Sequence, residues 1–412
     1  MSESQIPTKR SALADWLGLN RASVGVLIAL GGLGLAEELW RPFLPLYLKK
    51  QTGDPLNALW YTAVNAFILN LLEGFGYILG GMIAHKLGAR VALAVSALPM
   101  TVGFALMLSV SEPWAVVLGA LLITNWEPLS VPATFEVVGS EVPKERRTIA
   151  FALQSIQKRL PKVIGPLCGG LVFAMGYWVN LWLAIGAIVF SVIAQALLLE
   201  KFKPKSDPDP VPLTQILREM PKDVKALLFA EVFCRWGDWF ARDFAVLYVV
   251  AYLGRTPAEA GMLVAITSTT ALITYIPVAK IIDQFDSPKP FIALTFFLFA
   301  LFPILLATLP HSGLPVFVAL CITFAVNGLR EIGEPARKAM IATSFPPEIR
   351  ARAVGIYWGT RSFALCIAPL VAYELWAHTT PELTMLVGGG IGMLGFLIFT
   401  IRLRNSKNTK AA

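Results

Sequence analysis

The sequence predicts an all-α membrane protein with twelve transmembrane helices in two pseudo-symmetric six-helix bundles. Three observations predict it. Hydrophobic residues make up 56% of the 412 and charged ones 15%, where a soluble domain carries roughly 45–50% and 25%. So much apolar surface could not be covered by polar groups in water. Lysine and arginine gather in alternate loops, as in proteins oriented across a bilayer. The chain also repeats at half its length: Val142–Gly170 lies over Phe345–Tyr373 without a gap, at an offset of 203 residues.

The repeat keeps costly features. Pro143 falls on Pro346, Glu145 on Glu348, Arg147 on Arg350, Lys158 on Arg361 and Pro166 on Pro369. At an offset of 201, Glu37 falls on Asp238, Arg41 on Arg242, Phe43 on Phe244 and Tyr47 on Tyr248. Charge inside an apolar segment is expensive. Its recurrence at equivalent places points to one duplicated half-unit, an arrangement common among secondary transporters.

A spanning helix needs about 20 mostly apolar residues. Such runs begin near residues 22, 57, 91, 114, 148, 179, 225, 258, 290, 313, 352 and 382. Residues 1–21 read as a polar cytoplasmic segment with Lys9 and Arg10, without the apolar core and cleavage site of a signal peptide. Residues 22–200 are expected to form the first bundle. The polar stretch 201–224, with its Lys-Pro and Asp-Pro steps, reads as a cytoplasmic linker. Residues 225–403 make the second bundle and 404–412 a cytoplasmic tail. With the N-terminus cytoplasmic, that side carries 21 lysines and arginines and the opposite side three, Lys49, Lys50 and Arg255. This predicts a multi-pass protein of the cell (inner) membrane with both termini cytoplasmic. The net charge of +8 is then mostly loop charge and calls for no nucleic-acid partner.

Within the spans, charges fall in patterns. The first holds Glu37, Glu38 and Arg41, with Arg41 on the helical face of both acids. The fourth holds Glu127 beside Pro128, and the fifth holds Lys158, Arg159 and Lys162. In the seventh, Glu231, Arg235, Asp238 and Arg242 make one stripe of alternating sign, with Asp243 beside it. The tenth holds Arg330, Glu331, Glu334, Arg337 and Lys338, and the eleventh Arg361. Ionisable groups at this depth normally face a bundle interior or a wet cavity, and pair. Burial raises a carboxylate pKa and a neighbouring arginine lowers it, so moving one helix can load or release a proton. The proton-coupling candidates are Glu37, Glu38, Glu127, Asp238, Glu331 and Glu334. Arg41, Lys158, Arg159, Arg235, Arg242, Arg330 and Arg361 are candidate charge partners or substrate contacts. The competing reading is that the stripes neutralise themselves and lock helices together. Lys158 and Arg361, equivalent in the two halves, either hold an anionic substrate group between them or neutralise Glu127, Glu331 or Glu334. Trp40, Trp126, Trp239 and Trp358 sit beside these charges and either line a cavity or contact helices and lipid.

Nothing points to an enzyme, a cofactor or a metal. There is no His-Glu-x-x-His helix, no Gly-x-Ser-x-Gly elbow and no phosphate-binding Gly-x-x-x-x-Gly-Lys loop, which also argues against ATP as energy source. His85, His311 and His378 fall near expected helix ends. Cys168, Cys234, Cys321 and Cys366 read as free, buried thiols. The expected partners are a small-molecule substrate, protons and the lipid bilayer, for a monomeric protein.

Two segments carry a resemblance. Gly81-Met-Ile-Ala-His-Lys-Leu-Gly-Ala-Arg90 is similar to the loop signature Gly-x-Leu-Ala-Asp-Arg-x-Gly-Arg-Arg of the major facilitator superfamily. Gly81, Lys86, Gly88 and Arg90 fit; His85 stands where an Asp is usual, and the Asp appears in the second copy as Asp283. Gly165-Pro166-Leu167-Cys168-Gly169-Gly170 resembles the Gly-Pro-x-x-Gly-Gly motif of that family's drug:proton antiporters. One departure is Glu127 in the fourth span, where those antiporters usually carry an arginine. The resemblance implies these glycines and charges as gating motifs, and a secondary transporter working by alternating access. It favours proton-driven export of a small amphipathic molecule. Proton-coupled uptake of an anionic solute stays open, as does a lipid flippase or non-transporting receptor on the same scaffold.

Overall fold

A computed structural model describes residues 21–87, 89–124, 147–198, 218, 220–282, 285, 289–334, 337, 340, 341, 344, 345 and 350–408. Among them there is no strand, and a helix begins within three residues of each of the twelve expected starts. The first half comprises α1 (Arg21–Glu38), a 3-10 turn (Arg41–Phe43), α2 (Leu44–Thr52), α3 (Pro55–Leu87), α4 (Ala89–Ser109), α5 (Pro113–Thr124), α6 (Arg147–Phe173) and α7 (Tyr177–Leu198). The second comprises α8 (Lys222–Trp239), a short turn of helix (Ala245–Leu247) running into a π-helical segment (Tyr248–Tyr252), α9 (Pro257–Ile282), α10 (Lys289–Thr308), α11 (Val316–Leu329), α12 (Arg350–Leu365), α13 (Ala368–His378) and α14 (Pro381–Asn408).

The packing repeats as the sequence does. In the first half α1 lies on α6 and α7, and α4 on α7; in the second α8 lies on α12 and α14, and α10 on α14. The halves meet along two seams, α6 against α9 and α3 against α12 and α13. A third contact joins α2 to Ala245–Leu247. The tight turns at this end of the molecule use glycines at positive φ: Gly53 (74°), Gly176 (125°), Gly254 (66°) and Gly313 (87°). Only glycine enters that region without a Cβ penalty. Gly53 and Gly254 are themselves 201 residues apart, so the repeat reaches into the loops.

The helices bury polar side chains within an apolar core and turn large apolar ones outward. On α7, Asn180, Ser191 and Gln195 are buried, while Trp178, Trp182, Val189, Phe190, Ile193 and Leu197 are exposed. That is a helical stripe of greasy side chains turned outward, which suits lipid rather than water. By length and composition three described stretches could cross a membrane, Tyr177–Leu198, Lys289–His311 and Pro381–Arg402. Because lipid is as apolar as leucine, helix association here relies on close packing. Glycine supplies it: Gly32 of α1 lies on Ser191 of α7, and Gly392 of α14 on Ala300 of α10. All four cysteines are free, Cys234 and Cys366 buried and Cys321 half-buried, but Cys168 is exposed. It shares the outward stripe of α6 with Ile164 and Leu171.

Candidate functional site

The first and seventh spans are broken at equivalent places. α1 ends at Glu38 and α8 at Trp239, 201 residues apart. In the first span Pro42 and Pro45 enforce the break, having no N–H for the helical ladder. In the seventh, Phe240–Phe244 form turns without a proline. α11 likewise stops at Leu329, turns through Arg330–Gly333 and restarts at Glu334. Breaks inside a packed bundle free backbone groups that must be satisfied internally. The Gly333 N–H donates to Thr295 Oγ1 (2.7 Å), and Trp236 Nε1 donates to the Ala364 carbonyl (2.8 Å) beside the interruption between α12 and α13.

The broken ends carry the charges. Arg41 reaches back to Glu37 at 2.5 Å. Glu38 is buried with its Cβ against the Gly165 backbone of α6. Asp238 is fully buried and takes a hydrogen bond from Arg330 Nη1 through Oδ1. The stripe expected along the seventh span therefore divides. Glu231 and Arg235 remain neighbours (3.5 Å), but Asp238 turns to the tenth span. Arg242, beyond the break, lies by Asp243 (3.8 Å) and over the Trp239 ring.

Glu231 is the hub of a buried network. Arg337 Nη1 donates to both its oxygens at 2.6 Å, Tyr357 Oη at 2.5 Å and Arg361 Nη1 at 3.2 Å. Glu334 is held by Arg337 Nη2 (2.7 and 2.9 Å) and Arg235 Nη2 (2.9 Å). The Phe299 ring lies under the guanidinium groups of both Arg235 (4.4 Å) and Arg330 (4.7 Å). An ion pair crosses between the halves: Arg159 Nη2 of α6 donates to Glu331 Oε2 at 2.5 Å. Lys158, next to it, is half-buried, and Arg361 has Glu231 as its partner. Tyr357 carries no charge and escaped the sequence reading. Its spacing of four before Arg361, on one helical face, was the available signal. Tyr357→Phe is expected to cost about 1.5–3 kcal/mol, the range for a hydrogen bond to a charged group, read as loss of thermal stability in detergent.

These bonds leave particular atoms over. Asp238 Oδ2 and the Nε–H groups of Arg330, Arg337 and Arg361 are buried without a protein partner. Among the described residues, such buried donors and acceptors without a partner are costly in a low-dielectric interior.

The Gly-Pro-x-x-Gly-Gly segment lies where α1, α6 and α9 converge. A Cβ on Gly169 would overlap the Leu39 carbonyl oxygen, and one on Gly170 would meet the Pro257 carbonyl at 2.7 Å. The Pro166 carbonyl lies so close to Gly261 of α9 that no side chain fits there. Asn180 of α7, fully buried, clamps the junction by donating to the Gly169 (3.1 Å) and Leu39 (3.3 Å) carbonyls. Asn180 was not singled out from sequence, although an amide in so apolar a helix is a signal.

Of the tryptophans, Trp40 packs in the core against Phe104 and Tyr47 instead of lining a cavity. Trp239 is buried too, and Trp358 stacks its edge on Tyr77 across the α3–α12 seam. Gly81 and Lys86 lie in α3 and Arg90 in α4. Gly88, Trp126, Glu127, Asp283 and Lys338 fall outside the described residues. Among the described residues no three His, Cys, Asp or Glu side chains are grouped as a metal site requires.

Comparison with known proteins bears on the family and the fold. The model of the Major Facilitator Superfamily matches the chain twice, over residues 26–246 and 227–412. The "Multidrug resistance protein MdtH" of Photorhabdus laumondii is 26% identical over 375 residues, covering 86% of this chain and 87% of that protein. Among solved structures, the nucleoside transporter NupG superposes with a TM-score of 0.78 at 13% identity, over 93% of this chain and 99% of that one. A POT family transporter in complex with a thioalcohol-conjugated peptide gives 0.76 at 13% identity, over 94% and 96%. At such identities the structures are alike in fold.

Proposed function

Because the chain belongs to the Major Facilitator Superfamily, and is an integral membrane transporter rather than an enzyme, we propose that it exports a small, amphipathic molecule in exchange for protons, by alternating access. In this reading twelve spans form two six-helix bundles, residues 22–200 and 225–403, in the cell (inner) membrane. Both termini are cytoplasmic, so the end bearing Gly53, Gly176, Gly254 and Gly313 is external. Export is supported by the curated relatives named for multidrug resistance and by the Gly-Pro-x-x-Gly-Gly segment packed at the external junction.

The observation that carries proton coupling is Asp238. It is fully buried and, among the described residues, ion-paired to Arg330 alone through Oδ1, while its buried Oδ2 takes no hydrogen bond from a described protein donor. A proton arriving at Oδ2 neutralises the carboxylate and frees Arg330, whose Nε–H is already spare. Glu231 and Glu334, by contrast, have both oxygens occupied by arginines or Tyr357. They act as ionic glue that transmits the rearrangement among the seventh, tenth and eleventh spans. Glu331 and Arg159 tie that rearrangement to the first half.

Under a one-unit pH gradient each coupled proton supports about a tenfold concentration ratio, since one pKa unit is worth about 1.36 kcal/mol. Asp238→Asn is therefore expected to cut proton-driven accumulation in vesicles by about tenfold while ligand binding persists. Unchanged accumulation would remove Asp238 from the mechanism. The same vesicles decide direction: an imposed gradient drives substrate opposite to proton flow in export. Flow with the protons instead favours uptake of an anionic solute, for which Arg361 and its unpaired Nε–H offer a contact.

A further inference from the structure

We propose that Tyr248, His311 and Glu382 form a second proton-binding site, at the external mouth and apart from the buried charged core, which when loaded holds the seventh span closed against the first. The inference rests on the topology and proton coupling proposed above.

Three separate elements supply the site. Tyr248 opens the π-helical segment and is fully buried. His311 ends the 3-10 turn Leu309–His311, and Glu382 lies in the first turn of α14. Tyr248 Oη donates to Glu382 Oε1 at 2.7 Å and lies 3.2 Å from His311 Nε2, which is 3.7 Å from the same carboxylate oxygen. The histidine and glutamate side chains are 53% and 34% exposed, so water reaches both. Among the described titratable groups, Tyr248 and Glu382 are the two that contact His311. The Tyr252 hydroxyl accepts from Trp376 Nε1 (3.3 Å), and His378 of α13 is paired with Glu374 (3.6 Å).

The chemistry is a switch between two bonding patterns. Histidine changes charge between about pH 5 and 8. A proton taken from external water makes Nε2 a cationic donor facing both the tyrosine oxygen and the carboxylate. The imidazolium donates its single Nε2–H to the tyrosine oxygen, which donates to Glu382, and the charge on the ring attracts the carboxylate at 3.7 Å. When the proton leaves, the neutral ring can carry its remaining hydrogen on Nδ1, and the tyrosine oxygen loses its donor. Tyr248 passes the difference on, because Ala245–Leu247 directly before it touches α2 of the other half. A π segment is a common place for such adaptable backbone. Among the described residues the first half shows no equivalent device. Tyr47, 201 residues earlier, donates instead to the Tyr177 backbone carbonyl (3.2 Å), which does not titrate. External acid thus favours the externally closed state, the step that follows substrate release in an antiport cycle.

Amide hydrogen exchange of residues 244–253, measured on the full chain in lipid nanodiscs and corrected for intrinsic rates, tests this. Protection is expected to rise about fivefold or more as pH falls from about 8 to about 5.5. The rise should disappear in both His311→Gln and Glu382→Gln, and persist in Tyr47→Phe. If the two variants keep the wild-type pH response, with unchanged protection elsewhere showing that they are folded, the site does not exist as proposed. A parallel transport assay separates the two readings. Proton-driven export without any pH response in this segment overturns the latch and leaves the antiporter standing. A pH response in a protein whose transport ignores the gradient leaves the latch and overturns the coupling.

Discussion

Replacing Arg337 with methionine is expected to destabilise the protein by about 3–5 kcal/mol, the cost of breaking a buried pair by removing one partner. Arg337 is 3% exposed in its side chain and grips two carboxylates at once, Glu231 and Glu334. Neither acid can be rehydrated where it lies: Glu231 is 1% exposed and Glu334 is 4% exposed. Arg337→Lys keeps the charge but not the planar fork that reaches both acids, so it should recover only part of the loss. Adding Glu231→Gln to Arg337→Met should cost less than the two single changes summed, since each leaves the other's partner stranded. Unfolding in mild detergent, followed by heat or denaturant, checks all three. A loss below about 1 kcal/mol for Arg337→Met would place the pair with weak surface bridges and remove it as the structural hub.

Gly169→Ala is expected to be as damaging to transport as Arg337→Met is to stability. The added Cβ meets backbone, the Leu39 carbonyl, and backbone cannot swing aside as a flexible side chain would. Overpacking of this kind costs about 1–3 kcal/mol, charged here to the state in which α1 and α6 touch. The population of that state should fall by about 5–150-fold, with transport falling alongside. Gly186→Ala is the matched control, because nothing lies within 4 Å of the Cβ it would add. Equal activity in the two variants would show that the α1–α6 junction can open without consequence.

Helix positions were largely legible because a spanning run is defined by its own length and apolarity, which needs no partner. Partner choice was not legible, because it depends on where helices stop. The seventh-span stripe assumes an unbroken helix through Arg242. The turn at Phe240–Phe244 carries Arg242 off that line, and Asp238 finds its cation 92 residues away. The repeat singled out Lys158 opposite Arg361, but neighbouring residues on a helix point about 100° apart, and Arg159 is the one aimed across the seam at Glu331. Trp40 illustrates the same limit: proximity to Glu37 and Arg41 in sequence suggested a cavity wall, while the break beside it folds the ring into the core. What the repeat did carry was the register of Glu37 with Asp238 and Tyr47 with Tyr248, each pair occupying matched positions at a helix break.

The two seams between the halves are made of unlike materials. Along α6 and α9 the surfaces are glycine and proline backbone, with Gly170 and Gly261 face to face. Along α3 and α12–α13 they are interlocked rings: Trp60 on Tyr373 (5.0 Å), Phe75 on Phe363 (5.0 Å) and Tyr77 on Trp358 (5.3 Å). A pair of lobes mounted this way has a bearing on one side and gear teeth on the other. Under the alternating access proposed above, the toothed seam would serve as the axle near α3, and the aperture would open beside α6 and α9.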